Sequence, residues 1–181
     1  MNVWIQNPFD SLPTEGYRKQ RYWLMAEAFV RAGHRVVYWT SDFSHAKKGL
    51  RSLRSLRGLE GFELRFVKTL PYRKNVGLAR VRSHRAYARE WERAALACAD
   101  FPDVIIVSAP PVSTGPVGLR LARRFGAKLV VDVQDAWPET FERLAPKGFR
   151  WLAHLLLTPW RMDARSMIYG KADLVTGVCD R

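Results

Sequence analysis

The chain has 181 residues, enough for one domain with a substantial core, and its 48% hydrophobic and 26% charged residues exclude wholesale disorder. Two cysteines, Cys98 and Cys179, exclude a disulfide scaffold and a four-cysteine zinc site. Thirty Lys and Arg against seventeen Asp and Glu leave +13, which points to an anionic partner: nucleic acid, a phosphorylated substrate or an acidic membrane.

Asn2–Gln6 (NVWIQ) reads as a short apolar strand running into the loop NPFDSLPTEG. The N-terminus lacks a basic segment followed by an apolar stretch, and no apolar run approaches the roughly 20 residues that span a bilayer. A soluble, reducing, cytoplasmic setting is therefore expected. The loop is neither GxGxxG nor a P-loop. Gly16 stands at a helix start with Thr14 or Glu15 as capping candidates, so its amides either meet an oxygen-rich ligand or simply form a turn and cap. Tyr17–Ala32 is expected as a helix with Leu24, Met25, Ala28, Phe29 and Ala32 on one side, closed by Gly33. Arg35–Thr40 (RVVYWT) follows as a strand.

Next comes the charge. Ala46–Arg89 holds thirteen Lys or Arg and two acids, Glu60 and Glu63, hence eleven of the thirteen net charges. In AKKGLRSLRSLRGL, residues 46–59, both Arg51, Arg54, Arg57 and Leu50, Leu53, Leu56 recur every third position. That period drifts around an α-helix, and a short 3₁₀ or irregular segment fits equally. After the strand Phe62–Val67 (FELRFV), a helix from about Gly77 to Ala99 carries Val81, Ala88, Trp91, Ala95 and Cys98 on one face. Arg82, Arg85, Arg89 and Arg93 form a neighbouring stripe. Lys47, Lys48, Arg51, Arg54, Arg57, Arg82, Arg85 and Arg89 are thus candidates for binding a membrane or another anion. A merely solvated face is the competing reading.

Asp103–Val107 (DVIIV) is apolar enough for a strand covered on both faces. Ser113 or Thr114 then caps a helix at Thr114–Phe125, closed by Gly126. Lys128–Val133 (KLVVDV) is the next buried strand; Asp132 inside it needs a partner, because an unpaired buried carboxylate is costly. At its end stand Asp135, Trp137 and Glu139. Two carboxylates around an aromatic suit a sugar, the carboxylates accepting hydroxyl hydrogens and the ring stacking on an apolar sugar face. The alternative is Pro138 at the first position of a helix, with Glu139 complementing its dipole. Lys147–Gly170 is helical in tendency, with Pro159 starting a second helix capped by Thr158. Its aromatic and leucine-rich part, residues 147–161, fits a core helix against the sheet, a buried domain-domain contact, or a helix lying in a membrane interface. Asp173–Val178 is the last strand. The alternation defines an α/β fold: a Rossmann-like parallel sheet with helices on both faces. The four histidines lack metal-ligand spacing, and no metal site is expected.

Three stretches carry a family resemblance: AEAFVRAGHRVVYWTS, SAPPVSTGPVGLRLARRFGAKLVVDVQDAWPET and YGKADLVTGV. In that order they resemble the N-terminal half of a family 4 glycosyltransferase of GT-B architecture, of the bacterial type that builds exopolysaccharide and O-antigen. The resemblance covers nearly the whole chain. Two positions depart from the family pattern: a single Gly16 replaces the usual Gly-Gly pair, and Gln134 stands where an Arg is usual. The resemblance implies retaining transfer of a sugar from a nucleotide-diphosphate sugar to a lipid-linked or glycan acceptor. It implies no cofactor and no divalent metal, and a location at the inner face of the cytoplasmic membrane. Residues 1–181 would be the acceptor-binding domain, the donor-binding domain lying beyond the chain, so that this half alone is expected to be inactive. By position, Glu15 and Gly16 would lie near the donor diphosphate or the acceptor. Ser113 and Thr114 would approach the transferring sugar, and Asp135 and Glu139 would orient an acceptor hydroxyl. A nucleic-acid-binding Rossmann-like domain and half of a nucleotide-sugar epimerase are the rival readings; the sparse aromatics of the Arg stripe disfavour the first and the DxWPE match the second.

Overall fold

The computed structural model describes residues 1–51, 61–75, 77–135, 146–152, 154–155, 158 and 171–178. In chain order the elements are β1 (Asn2–Gln6), α1 (Arg21–Arg31), β2 (Arg35–Ser41), β3 (Phe43–Ser44), β4 (Gly49–Leu50), β5 (Glu63–Val67), α2 (Leu78–Leu96), β6 (Val104–Ala109), α3 (Thr114–Phe125), β7 (Lys128–Val133) and β8 (Leu174–Gly177). Six strands form one parallel sheet in the order β5-β2-β1-β6-β7-β8, while β3 and β4 pair antiparallel in a small hairpin.

Alternation of side chains across the strands divides the core in two. On one face Val3, Ile5, Val36, Tyr38 and Ile106 pack against Tyr22, Trp23 and Ala26 of α1. On the other, Trp4, Val37, Trp39, Ile105, Val107, Leu129 and Val131 meet Tyr87, Ala88, Trp91 and Ala95 of α2 and Val117, Leu121 and Ala122 of α3. Both faces being covered explains why the central strands read as continuous apolar runs. Trp4 is the hub of the second core, edge-on to Trp39 at 5.2 Å and to Phe125 at 5.6 Å. Gly118 lets α3 approach β6, since a Cβ there would stand 2.6 Å from Val107 Cγ2.

Several expectations are corrected. Helix α1 begins at Arg21, not Tyr17, and buries Tyr22, Trp23, Ala26 and Glu27, while Leu24 is 49% exposed. The misreading is physical. Glu27 belongs to the inner face because it accepts from Trp23 Nε1 at 2.7 Å and pairs with Lys19 at 2.6 Å, so an apolar count misplaces the stripe. Residues 46–50 form the hairpin turn and β4, and 52–60, including Arg54 and Arg57, lie outside the described residues. Thr158 is helical and its hydroxyl donates back to the His154 carbonyl at 2.8 Å, so it is not an N-cap; Pro159 lies outside the described residues. Phe149, Trp151 and Leu155 are 62–68% exposed, so these described residues of the segment are not part of this domain's core.

Candidate functional site

Strand order reverses direction between β1 and β6, and in open parallel sheets ligands lie beyond the carboxyl ends of the strands at that point. The loops after β1, β2, β5, β6 and β7 therefore frame the candidate site.

The loop after β1 is held from within. Buried Asn7 accepts the Phe9 amide at 2.7 Å and the Asp10 amide at 2.9 Å through Oδ1. Ser11 N donates to Gln20, and Leu12 N donates to Glu15 Oε2 at 3.1 Å, closing a capping box around a 3₁₀ turn at Pro13–Glu15. Gly16 ends that turn at φ 87°, where a side chain would be strained, and its amide donates to Pro13 O. Glu15 and Gly16 thus have their groups engaged inside the loop. The Glu15 carboxylate also pairs with Arg51, which is only 6% exposed and donates to Asp10 O at 2.7 Å. Arg51 is consequently a buried strut between loops, not a surface cation for a membrane.

Beneath the loop lies a buried acidic pair. Asp132 is fully buried and receives four bonds: Arg21 Nε at 2.8 Å and Arg21 Nη2 at 2.7 Å, Tyr22 OH at 2.8 Å and Thr176 Oγ1 at 2.7 Å. Burial pushes its carboxyl up, but the bonds from Arg21, Thr176 and Tyr22 outweigh it and hold the group below its ordinary value. This bidentate pair is the partner the sequence demands for Asp132, and it joins α1 to β7 and β8. Asp10 is the contrasting case. Burial pushes it up to about 6, only partly offset by the Tyr22 amide, the Tyr38 hydroxyl and Arg51.

A second cluster gathers beside the crevice. Phe9 packs against His45 at 5.5 Å and His84 at 5.1 Å between ring centroids, with the Arg80 guanidinium 5.6 Å from its ring. His45 Nδ1 meets Tyr72 OH at 2.5 Å, and Arg80 Nε donates to His84 Nε2 at 3.3 Å. Burial, then the neighbouring cations, lowers His45 to about 4 and His84 to about 3, so both imidazoles are neutral at pH 7. Sequence reasoning missed Phe9, His45, Tyr72, Arg80 and His84. The available signal was on α2, where Ser83, His84 and Tyr87 are polar side chains at positions the helical period turns inward.

At the start of α3, Ser113 Oγ donates to the His84 carbonyl at 3.1 Å and makes no cap bond. Thr114 is fully buried, and its hydroxyl donates to Pro111 O at 2.7 Å. These two side chains therefore fasten the β6 loop to α2 and to itself, in place of the expected cap. Asp135 is exposed at the end of β7; Trp137 and Glu139 lie outside the described residues. Lys47 donates to Glu15 O at 3.1 Å and Lys48 to Asn75 Oδ1 at 2.5 Å, while Arg82, Arg85 and Arg89 are exposed on α2. Among the described residues no group of three His, Cys, Asp or Glu converges to hold a metal ion. Nor, among them, is any helix long and apolar enough to cross a membrane.

This sheet order, with its crevice at the switch point, defines a Rossmann-like α/β domain. The chain belongs to the glycosyl transferase 4-like domain family, whose model matches residues 19–180. No curated protein matches it significantly. Among solved structures it is similar to Arabidopsis thaliana UGT89C1 complexed with UDP, at 17% identity and a TM-score of 0.53, covering 97% of this chain and 44% of that one. The same protein complexed with quercetin gives 18% identity and a TM-score of 0.50, covering 96% and 42%. At such identities the likeness is one of fold. The chain spans less than half the length of these solved structures.

Proposed function

We propose that this chain is the acceptor-side domain of a retaining glycosyltransferase. The enzyme moves a sugar from a nucleotide-diphosphate sugar to a lipid-linked or polysaccharide acceptor in bacterial envelope glycan synthesis. The observation that carries the reading is the family match over residues 19–180 on a sheet whose switch-point crevice is framed by the loops after β1 and β6. A similar fold in complex with UDP supports a nucleotide-linked donor. In this reading Asp135 and Glu139 orient the acceptor hydroxyl and Trp137 stacks on its ring. Glu15 and Gly16 shape the first loop beside the diphosphate, and Ser113 and Thr114 fix the β6 loop against the transferring sugar. The reaction uses no cofactor or metal. Exposed Arg82, Arg85 and Arg89, with Lys47, hold the protein to the anionic inner face of the cytoplasmic membrane.

The test is to titrate the purified 181-residue chain with a polyprenyl-diphosphate-linked oligosaccharide and to assay it with a panel of nucleotide sugars. Glycan binding without turnover is expected, since donor contacts belong to a second domain. Turnover by the chain alone would refute the half-enzyme reading, and absence of glycan binding would refute the acceptor role.

A further inference from the structure

We infer that the groove between the β5–α2 connection and the first turn of α2 is a binding site for a phosphate-ester group. The inference rests on the acceptor-side reading and names the chemistry that the domain would grip on its acceptor.

The groove encloses about 390 Å³, with Tyr72, Arg73, Lys74, Gly77, Ala79 and Arg80 among its walls. Among the described residues no carboxylate lines it, and the first turn of α2 has none. Asn75 draws two cations to its rim: its side-chain oxygen accepts from Lys48 Nζ at 2.5 Å and its carbonyl from Arg80 Nη1 at 2.6 Å. Lys48 stands in the turn between β3 and β4 with a left-handed backbone, φ 53°. Its ammonium also lies 4.9 Å from the Tyr72 ring centroid. Burial and then the Arg80 charge push the Lys48 ammonium down from its ordinary value, so the charge it feels most is another cation. Like charges held together in a partly desolvated place repel, and an anion seated between them removes the repulsion.

The donor set selects the anion. Arg73 and Lys74 line the groove with donors alone, Arg80 joins them with its Nη1 and Nε engaged by Asn75 O and His84 Nε2, and Lys48 stands at the rim. A phosphate ester presents oxygens only, and its geometry suits the arginine fork. Burial keeps both nearby histidines uncharged at pH 7, so the cationic charge is that of Lys and Arg. The outward stripe Arg82, Arg85 and Arg89 does not line this groove. The basic region therefore divides into a concave site and a convex face.

Inorganic pyrophosphate is the probe, titrated calorimetrically into the purified chain, with thermal melts confirming that each variant folds. Saturable binding is expected for the parent. The groove double variant R73A/K74A should bind at least tenfold more weakly, and the stripe triple variant R82A/R85A/R89A within twofold of the parent. No saturable binding by the parent, a smaller loss in the double variant, or an equal or larger loss in the triple would overturn the site. A second arm uses phosphatidylglycerol and phosphatidylcholine vesicles. Loss of phosphatidylglycerol binding in R73A/K74A supports the site with a lipid headgroup as its ligand; retained vesicle binding alongside lost pyrophosphate binding supports it with a diphosphate-linked acceptor. If the parent binds the polyprenyl-linked glycan but not pyrophosphate, the groove fails and the acceptor reading stands; if it binds neither, both fail.

Discussion

Substituting Asp10→Asn should make the protein more stable, and increasingly so as pH rises. Asp10 is 8% exposed, and burial is the dominant influence on it, lifting its carboxyl from 3.8 to about 6. Tyr22 N, 3.3 Å from Oδ2, the Tyr38 hydroxyl and the nearby Arg51 offset only part of this. A folded-state pKa above the unfolded value means that the stabilising contribution is complete below pH 3.8 and is lost as pH rises through about 6. Two pKa units correspond to about 3 kcal/mol, so ionised Asp10 costs the fold that much above pH 7. Asn cannot ionise and keeps an oxygen for the Tyr22 amide. The variant should therefore gain about 1 kcal/mol at pH 4.5 and about 3 kcal/mol at pH 8, the latter raising Tm by roughly 6–12 °C. Urea unfolding of both proteins at the two pH values measures this. A variant that is less stable at pH 8, or whose advantage does not grow with pH, refutes the reasoning.

Asp132→Ala should destabilise by about 3 kcal/mol. The change leaves the buried Tyr22 hydroxyl and the Arg21 guanidinium without their acceptor, although Arg21, 39% exposed at its side chain, recovers water. Because the Asp132 carboxyl is held below its ordinary value, its contribution is present above pH 3.8 and fades as pH falls through the lowered pKa. Urea midpoints at pH 3 and pH 7 should therefore separate parent and variant more at pH 7. Gly118→Ala places a Cβ 2.6 Å from Val107 Cγ2 and should cost about 1–3 kcal/mol, read as a drop in Tm. Reversing the exposed stripe in R82E/R85E/R89E should abolish co-sedimentation with phosphatidylglycerol vesicles while leaving Tm within a few degrees; unchanged co-sedimentation would remove the membrane role of that face.

The sheet was legible because burial on both faces writes apolar runs directly into the chain: β1, α3 and β7 coincide with the residues read from the sequence. Helix α1 was less so, because Glu27 sits inward with its own hydrogen-bond partners and breaks the apolar stripe. Asp132 announced that it needed a partner but not which one, since Arg21 and Thr176 are 111 and 44 residues away and meet only through the sheet. The same holds for His45 and His84, which share no sequence spacing and are brought together by the fold on Phe9 and Tyr72. Glu15, Ser113 and Thr114 stand at strand ends as expected, yet their side chains fasten loops, a distinction that only hydrogen-bond partners reveal.

The central claim is that this domain receives the acceptor and leaves the donor to another part of the enzyme. Parallel equilibrium titrations of the purified chain with a polyprenyl-diphosphate-linked oligosaccharide and with UDP-sugars test it most directly. Saturable binding of the glycan, with the nucleotide sugars bound no more tightly than inorganic pyrophosphate, is the predicted result. Tight nucleotide-sugar binding without glycan binding would contradict it.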